Sequence, residues 1–235
     1  LAKLDLVQTA PAEYPVLRPH HVEVALVGTD GKPKVLPATI STERSPLSGA
    51  AGLAAPSFVY PNYNDHGYAK VALDPISTAW ARGNMGRITS PLLRQQVWGS
   101  LWEMVRDQLL ASPEYLDLVR RSGGAEKTLP VVELITESAA TAVARYLPEN
   151  RIDAEAHLLV EAARAAIDAV PPGDLRVLWG RALLGQARSA EDARFAATLV
   201  DVPPDGLAVD QDMRWGVAVN WVALGLEGAD DRLAS

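Results

Sequence analysis

The residues of this chain whose types could do chemistry are four histidines, a dense polar loop and a pair of carboxylates. His20 and His21 are neighbours in a stretch of alternating polarity, so their side chains leave opposite faces of a strand and are poorly placed to share a metal ion. His157 has Glu161 one helical turn on, a partial ligand set with no second histidine near it in sequence. The HExxH spacing, which puts two imidazoles and a general-base glutamate on one helix face, does not occur. The histidines therefore read as surface or packing residues.

His66 belongs to the stretch "PNYNDHGYAKVALD", residues 61–74. Tested as a calcium loop, Asn62 stands first, Asn64 third, His66 fifth and Gly67 sixth, but Leu73 falls on the twelfth position, where a bidentate carboxylate is needed. A phosphate cradle fails too, for want of more glycines and of a helix N-terminus directly after it. What the residues support is a turn of Asn and Asp, a Gly67 that permits positive φ, and a return to strand. In "WGSLWEMVRDQ", Glu103 and Asp107 stand four apart, and paired carboxylates on one helix face can do acid–base work. Arg106 adjoins Asp107 and the segment is heavily apolar, so the solvated edge of a packed helix is the simpler reading, with Trp98 and Trp102 in the core. A site assembled from Asp65, His66 and Glu103 is the one enzymatic reading internal to the chain. No nucleophile elbow, Walker loop or dinucleotide fingerprint is present.

The elements that must position these residues change character near residue 75. Before it the apolar period is two: in "HHVEVALVG", Val22, Val24 and Leu26 share one face and His21, Glu23 and Ala25 the other. "LDLVQT", "KVLPATI", "SFVY" and "YAKVAL" are further strands, separated by "GTDGKP" and by the loose turn "TERSPLSGAAGLAAP". Beyond Asp74-Pro75 the period is helical. Ser90-Pro91 opens a helix on which Leu93, Val97, Leu101, Val105 and Leu109 recur. Ser112-Pro113 opens the next, stopped by Gly123-Gly124, and further helices are expected near 130–147, 152–169, 175–188, 190–200 and 211–225. Asp174, Ser189 and Asp210 are the expected caps, and "SAED" reads as a capping box. The expected fold is α+β and multi-domain: a small antiparallel β-sandwich over 1–74, then an all-α helical-repeat (HEAT/ARM-like, superhelical) domain over 75–235.

A net charge of −7 and a pI near 5.1, with no basic run, argue against a nucleic-acid partner. No apolar stretch approaches the roughly 20 residues that span a bilayer, so no membrane partner is expected and cytoplasm is the expected compartment. The absence of cysteine excludes disulfides, thiolate catalysis and Cys-based zinc sites. The chain opens on Leu1 inside a strand pattern and closes without an apolar capping helix, which reads as a fragment of a longer polypeptide.

Four separated segments carry a resemblance: "QTAPAEYPVLRPHHVEVALV", "PNYNDHGYAKVALD", "SPLLRQQVWGSLWEMVRDQLLASPEYLDLV" and "GLAVDQDMRWGVAVNWVALG". Together they resemble the C-terminal part of bacterial aminopeptidase N, a gluzincin zinc metalloaminopeptidase, and most closely its actinobacterial branch. The resemblance implies a small β-sandwich followed by a bowl of stacked helices. The family's passage between the two stands here as Asn62, Gly67, Tyr68 and Asp74, residues of a structural junction. The family's zinc ligands, catalytic Tyr and GxMEN loop lie in parts absent from this sequence, so no catalytic, cofactor-binding or metal residue carries over. The implied function is the non-catalytic region of an enzyme that removes N-terminal residues from peptides, covering its site and limiting access. Zinc belongs to the parent enzyme, not to this chain. The implied partners are the catalytic domain of the same polypeptide, docked on an exposed apolar face, and peptide substrates. The alternative is a free-standing helical-repeat scaffold without enzymatic activity.

Overall fold

In a computed structural model that describes residues 1–234, the chain is α+β and packs as two compact units, Leu1–Arg106 and the chain from Asp107 onward. The first unit holds two small antiparallel sheets. One pairs β1 (Asp5–Val7) with β4 (Arg44–Pro46); the other has the order β3–β2–β5, with β2 at His20–Val27, β3 at Pro33–Ile40 and β5 at Phe58–Tyr63. Val22, Val24 and Leu26 of β2 meet Leu6, Leu47 and Ala50 in a shared apolar core, so the two sheets close on each other through the face that the alternation predicts.

The opposite face of β2 is open at His21 and Glu23 but covered over its second half. Ala25 and Val27 are fully buried, as are Phe58 and Tyr60 of β5. Helix α1 (Pro75–Asn84) packs on β5, with Trp80 stacked on Phe58 at 5.2 Å between ring centroids. Helix α2 (Pro91–Arg106) is tied to the same strand, the Tyr60 hydroxyl lying 3.0 Å from Ser100 Oγ. The period changes at residue 75, but packing divides the chain at Arg106, because the first two helices cover the sheet.

Three local expectations are corrected. Residues 68–73, read as a strand, are extended but join no ladder; Val71 and Leu73 point inward by alternation alone. The stretch read as a loose turn supplies β4. Helix α2 ends at Arg106, so Asp107 does not share a helix face with Glu103, and Leu109 is 61% exposed.

The second unit is helical throughout: α3 (Ser112–Ser122), α4 (Leu129–Arg145), α5 (Glu149–Ala169), α6 (Asp174–Gln186), α7 (Ala190–Asp201), α8 (Gln211–Ala223) and α9 (Ala229–Ala234). Ser189 and Asp210 cap as expected, accepting from Asp192 N at 3.0 Å and Met213 N at 2.9 Å. Ser112 and Asp174 instead stand one residue inside their helices, behind Ala111 and Gly173. Ser112 Oγ is then free to donate to Tyr146 O at 2.6 Å, joining α3 to the end of α4. The core is built on Tyr115, Leu116, Leu118, Ile135 and Leu183, with alanines letting the helices approach closely. Trp215, Val219 and Val222 leave a half-exposed apolar stripe along α8. Among the described residues no helix is long and apolar enough to cross a membrane.

Candidate functional site

Alternation along β5 turns Asn62 inward, where its side chain is buried. Asn62 Oδ1 accepts from Gly67 N at 2.9 Å while Nδ2 donates to Gly67 O at 2.7 Å, so one amide pairs with both sides of Gly67 as a strand neighbour would. Nδ2 also reaches Asp65 Oδ1 at 3.2 Å. The chain between turns sharply through Asn64 (φ 62°) and Asp65 (φ 59°), two residue types that tolerate the left-handed region. The positive φ that Gly67 would permit is found at these two residues instead. Gly67 is needed for space: a Cβ there would sit 3.1 Å from Val22 Cγ1 and 3.4 Å from Asn62 Oδ1.

The turn is then fastened from three sides. Glu23 Oε2 accepts from Asn64 Nδ2 at 2.7 Å and lies 3.2 Å from His66 Nε2. These two contacts, Asn64 first, hold the Glu23 carboxyl below the usual carboxylate range. Gln96 of α2 donates to Asn62 O at 2.8 Å. Asp74 caps α1, its Oδ1 accepting from Ile76 N at 2.9 Å and Ser77 N at 3.1 Å, and Ser77 Oγ in turn accepts from Val59 N at 2.9 Å. Tyr68 is fully exposed. Asn62 and Asp74 thus fasten the two ends of one connection between β5 and α1. Replacing Asn62 by Asp keeps the acceptor but loses both donors and sets a carboxylate against Gly67 O. This substitution is expected to cost about 2 kcal/mol, read as a lower urea midpoint of the first unit.

The three residues of the internal enzymatic reading are each engaged elsewhere. Asp65 bonds Asn62, His66 bonds Glu23, and Glu103 lies 2.9 Å from Lys70 Nζ and 2.5 Å from Arg106 Nη1. Burial pushes the Glu103 carboxyl up, but the bonds to Lys70 and Arg106 outweigh it and leave it lowered, an ionised partner rather than a general acid. Tyr60 is pushed up to about 12 by burial and stays protonated. A cleft of about 510 Å³ opens beside the loop, lined in part by His21, Glu23, Thr39, Ser48 and His66. His21 Nδ1 is 3.0 Å from Thr39 Oγ1 across β2 and β3. Among the described residues no three His, Asp or Glu side chains are placed together to hold a metal ion.

His157 is the histidine whose partner the sequence does not show. Its Nδ1 lies 2.9 Å from Asp192 Oδ1, thirty-five positions away, rather than pairing with Glu161. Asp192 is buried at the start of α7, and its Oδ2 accepts from Ser189 Oγ at 2.8 Å. The acid of "SAED" therefore bonds the cap hydroxyl. The hydroxyl faces the carboxylate and not the imidazole, so these three residues are no nucleophilic triad. Hydrogen bonding to Asp192, then its charge, raises the His157 pKa above 6.5. A raised pKa stabilises the fold below the unfolded value and loses that contribution as pH climbs through the folded one. With the side chain 46% exposed, the amount is under about 1 kcal/mol. Titration of the His157 ring by NMR is expected to show a midpoint above 6.5 that falls on Asp192→Asn.

Against this geometry stand the comparisons with known proteins. The ERAP1-like C-terminal domain family matches residues 58–233, from the first residue of β5 through the junction and all the helices. The chain belongs to that family. Within this ERAP1-like domain the Asn62 turn and the Asp74 cap both lie inside the matched span, whereas β1 to β4 precede it. Among curated proteins the chain is similar to Aminopeptidase N of Streptomyces lividans, with 31% identity over 225 residues. The match covers 92% of this chain and 26% of that relative, so the chain spans about a quarter of the relative's length. Glu23, Gln96 and Asp192 escape the sequence reading for one reason: each meets its partner across 34 to 43 positions, with no local pattern to announce it.

Proposed function

We propose that this chain is the non-catalytic C-terminal region of a zinc-dependent aminopeptidase, where it caps the active site and limits which peptides reach it. The observation that carries this reading is the likeness of 92% of the chain to part of Aminopeptidase N, inside a family described as a C-terminal domain. Zinc held elsewhere in the intact enzyme supplies an activated water and a polarised scissile carbonyl. The residues of this chain position helices; they touch no reacting atom. Its partners in this reading are the catalytic domain of the same polypeptide and the peptide substrate, and its compartment is the cytoplasm.

The same reading makes the second unit a HEAT/ARM-like helical repeat. Helices pack on their next-but-one neighbours, α3 on α5, α4 on α6 and α6 on α8, as stacked helical pairs do. Such a stack forms a concave surface suited to walling a chamber. The reading frame upstream of the Leu1 codon provides the test. An in-frame HExxH with a downstream glutamate is expected; a start codon directly before Leu1 would favour a free-standing scaffold instead.

A further inference from the structure

Between α3, α4, α5 and α6 lies a cavity of about 20 Å³, walled mostly by apolar groups such as Val119, Ala139, Leu159 and Ala163. Two residues of α6 line it as well, Trp179 and Gln186, spaced seven apart on one helix face. Both are more than nine-tenths buried, at 3% and 6% exposure. Trp179 Nε1 and Gln186 Oε1 have no hydrogen-bond partner among the described residues. One is an obligate donor and the other an acceptor. A buried polar atom left unpaired is costly, and native proteins satisfy nearly all of them with protein groups or ordered water. The space exceeds the roughly 10–15 Å³ that a water needs.

We propose that this cavity is a water site, in which ordered water accepts from Trp179 Nε1–H and donates to Gln186 Oε1. The water binds where four helices meet and couples two positions of α6. A double-mutant cycle in the full chain tests it, with Trp179→Phe, Gln186→Met and the two combined, followed by urea unfolding. Each single substitution is expected to lower the folded-to-unfolded ratio about five- to tenfold. The double variant should lose no more than the worse single one, because removing either group already releases the water. Losses that simply multiply would overturn the proposal. Should a variant fail to fold, a crystal structure of the unaltered chain decides: density within hydrogen-bond reach of both atoms supports the site, and a dry cavity overturns it.

Discussion

Gly206→Ala is expected to destabilise the helical unit by about 3–5 kcal/mol, enough to unfold much of it at physiological temperature. Gly206 has φ +70°, and a Cβ there would stand 2.2 Å from Pro172 Cβ and 2.6 Å from Pro172 Cα. The obstacle is a proline ring and backbone, which cannot swing aside as a long side chain can. The approach is close because the two interhelical loops are bonded together. Gly173 N donates to Gly206 O at 3.0 Å, and the Arg176 guanidinium donates to Asp205 O. The strain of left-handed backbone adds to the overlap. Gly185 is the control. It lies inside α6 with nothing within 4 Å of the place a Cβ would take, and Gly185→Ala should be neutral or stabilising by up to about 1 kcal/mol. Thermal and urea unfolding read both; equal stability of the two variants would contradict the packing described for these loops.

Glu155→Ala is expected to cost about 3 kcal/mol. The Glu155 side chain on α5 is 6% exposed and is held by Arg120 of α3 and by Arg151 Nη2 at 2.6 Å. Arg120 is itself mostly buried, at 22% exposure, so truncating its partner leaves a guanidinium charge poorly solvated between helices. Surface pairs in the same unit behave differently. Arg164 and Glu161 are 4.0 Å apart and half exposed, so Glu161→Ala should change stability by less than about 0.5 kcal/mol. Replacing both buried partners, Arg120→Met with Glu155→Leu, should recover much of the loss, because the one charge left without this partner, that of Arg151, is 47% exposed. Urea midpoints of these variants separate the cases. A Glu155→Ala chain as stable as Glu161→Ala would show that the buried pair contributes nothing.

These two sites also mark how far the sequence could be read. The helix start at Pro91 and the caps Ser189 and Asp210 were legible because each is a local signal with a local cause. So was the core face of β2, set by alternation. Ala25 and Val27 were not, because a sheet covered by helices on its second face loses the alternation that a half-exposed sheet shows. Gly206 could be seen as a turn glycine, yet its real constraint is Pro172, thirty-four positions earlier. At the junction, Asn, Asp and Gly were legible as residues that make a turn, while the need for a glycine at 67 rests on space rather than on φ. Its crowding comes from Val22 on another strand, which no local reading reveals. Arg120, the more buried of the two partners of Glu155, lies in a different helix, and a glutamate in "DAEAHLLVEAA" has nothing about it that predicts burial.

The central proposal is that this chain caps the active site of a peptidase. The direct measurement uses Streptomyces lividans Aminopeptidase N lacking the segment similar to this chain, assayed on short and long peptides with and without the 235-residue chain added. The account predicts that the chain alone releases no N-terminal residues, with or without zinc. It also predicts that the chain binds the shortened enzyme and lowers its turnover of long peptides relative to short ones. Peptidase activity in the isolated chain, or unchanged length selectivity with no binding, would contradict it.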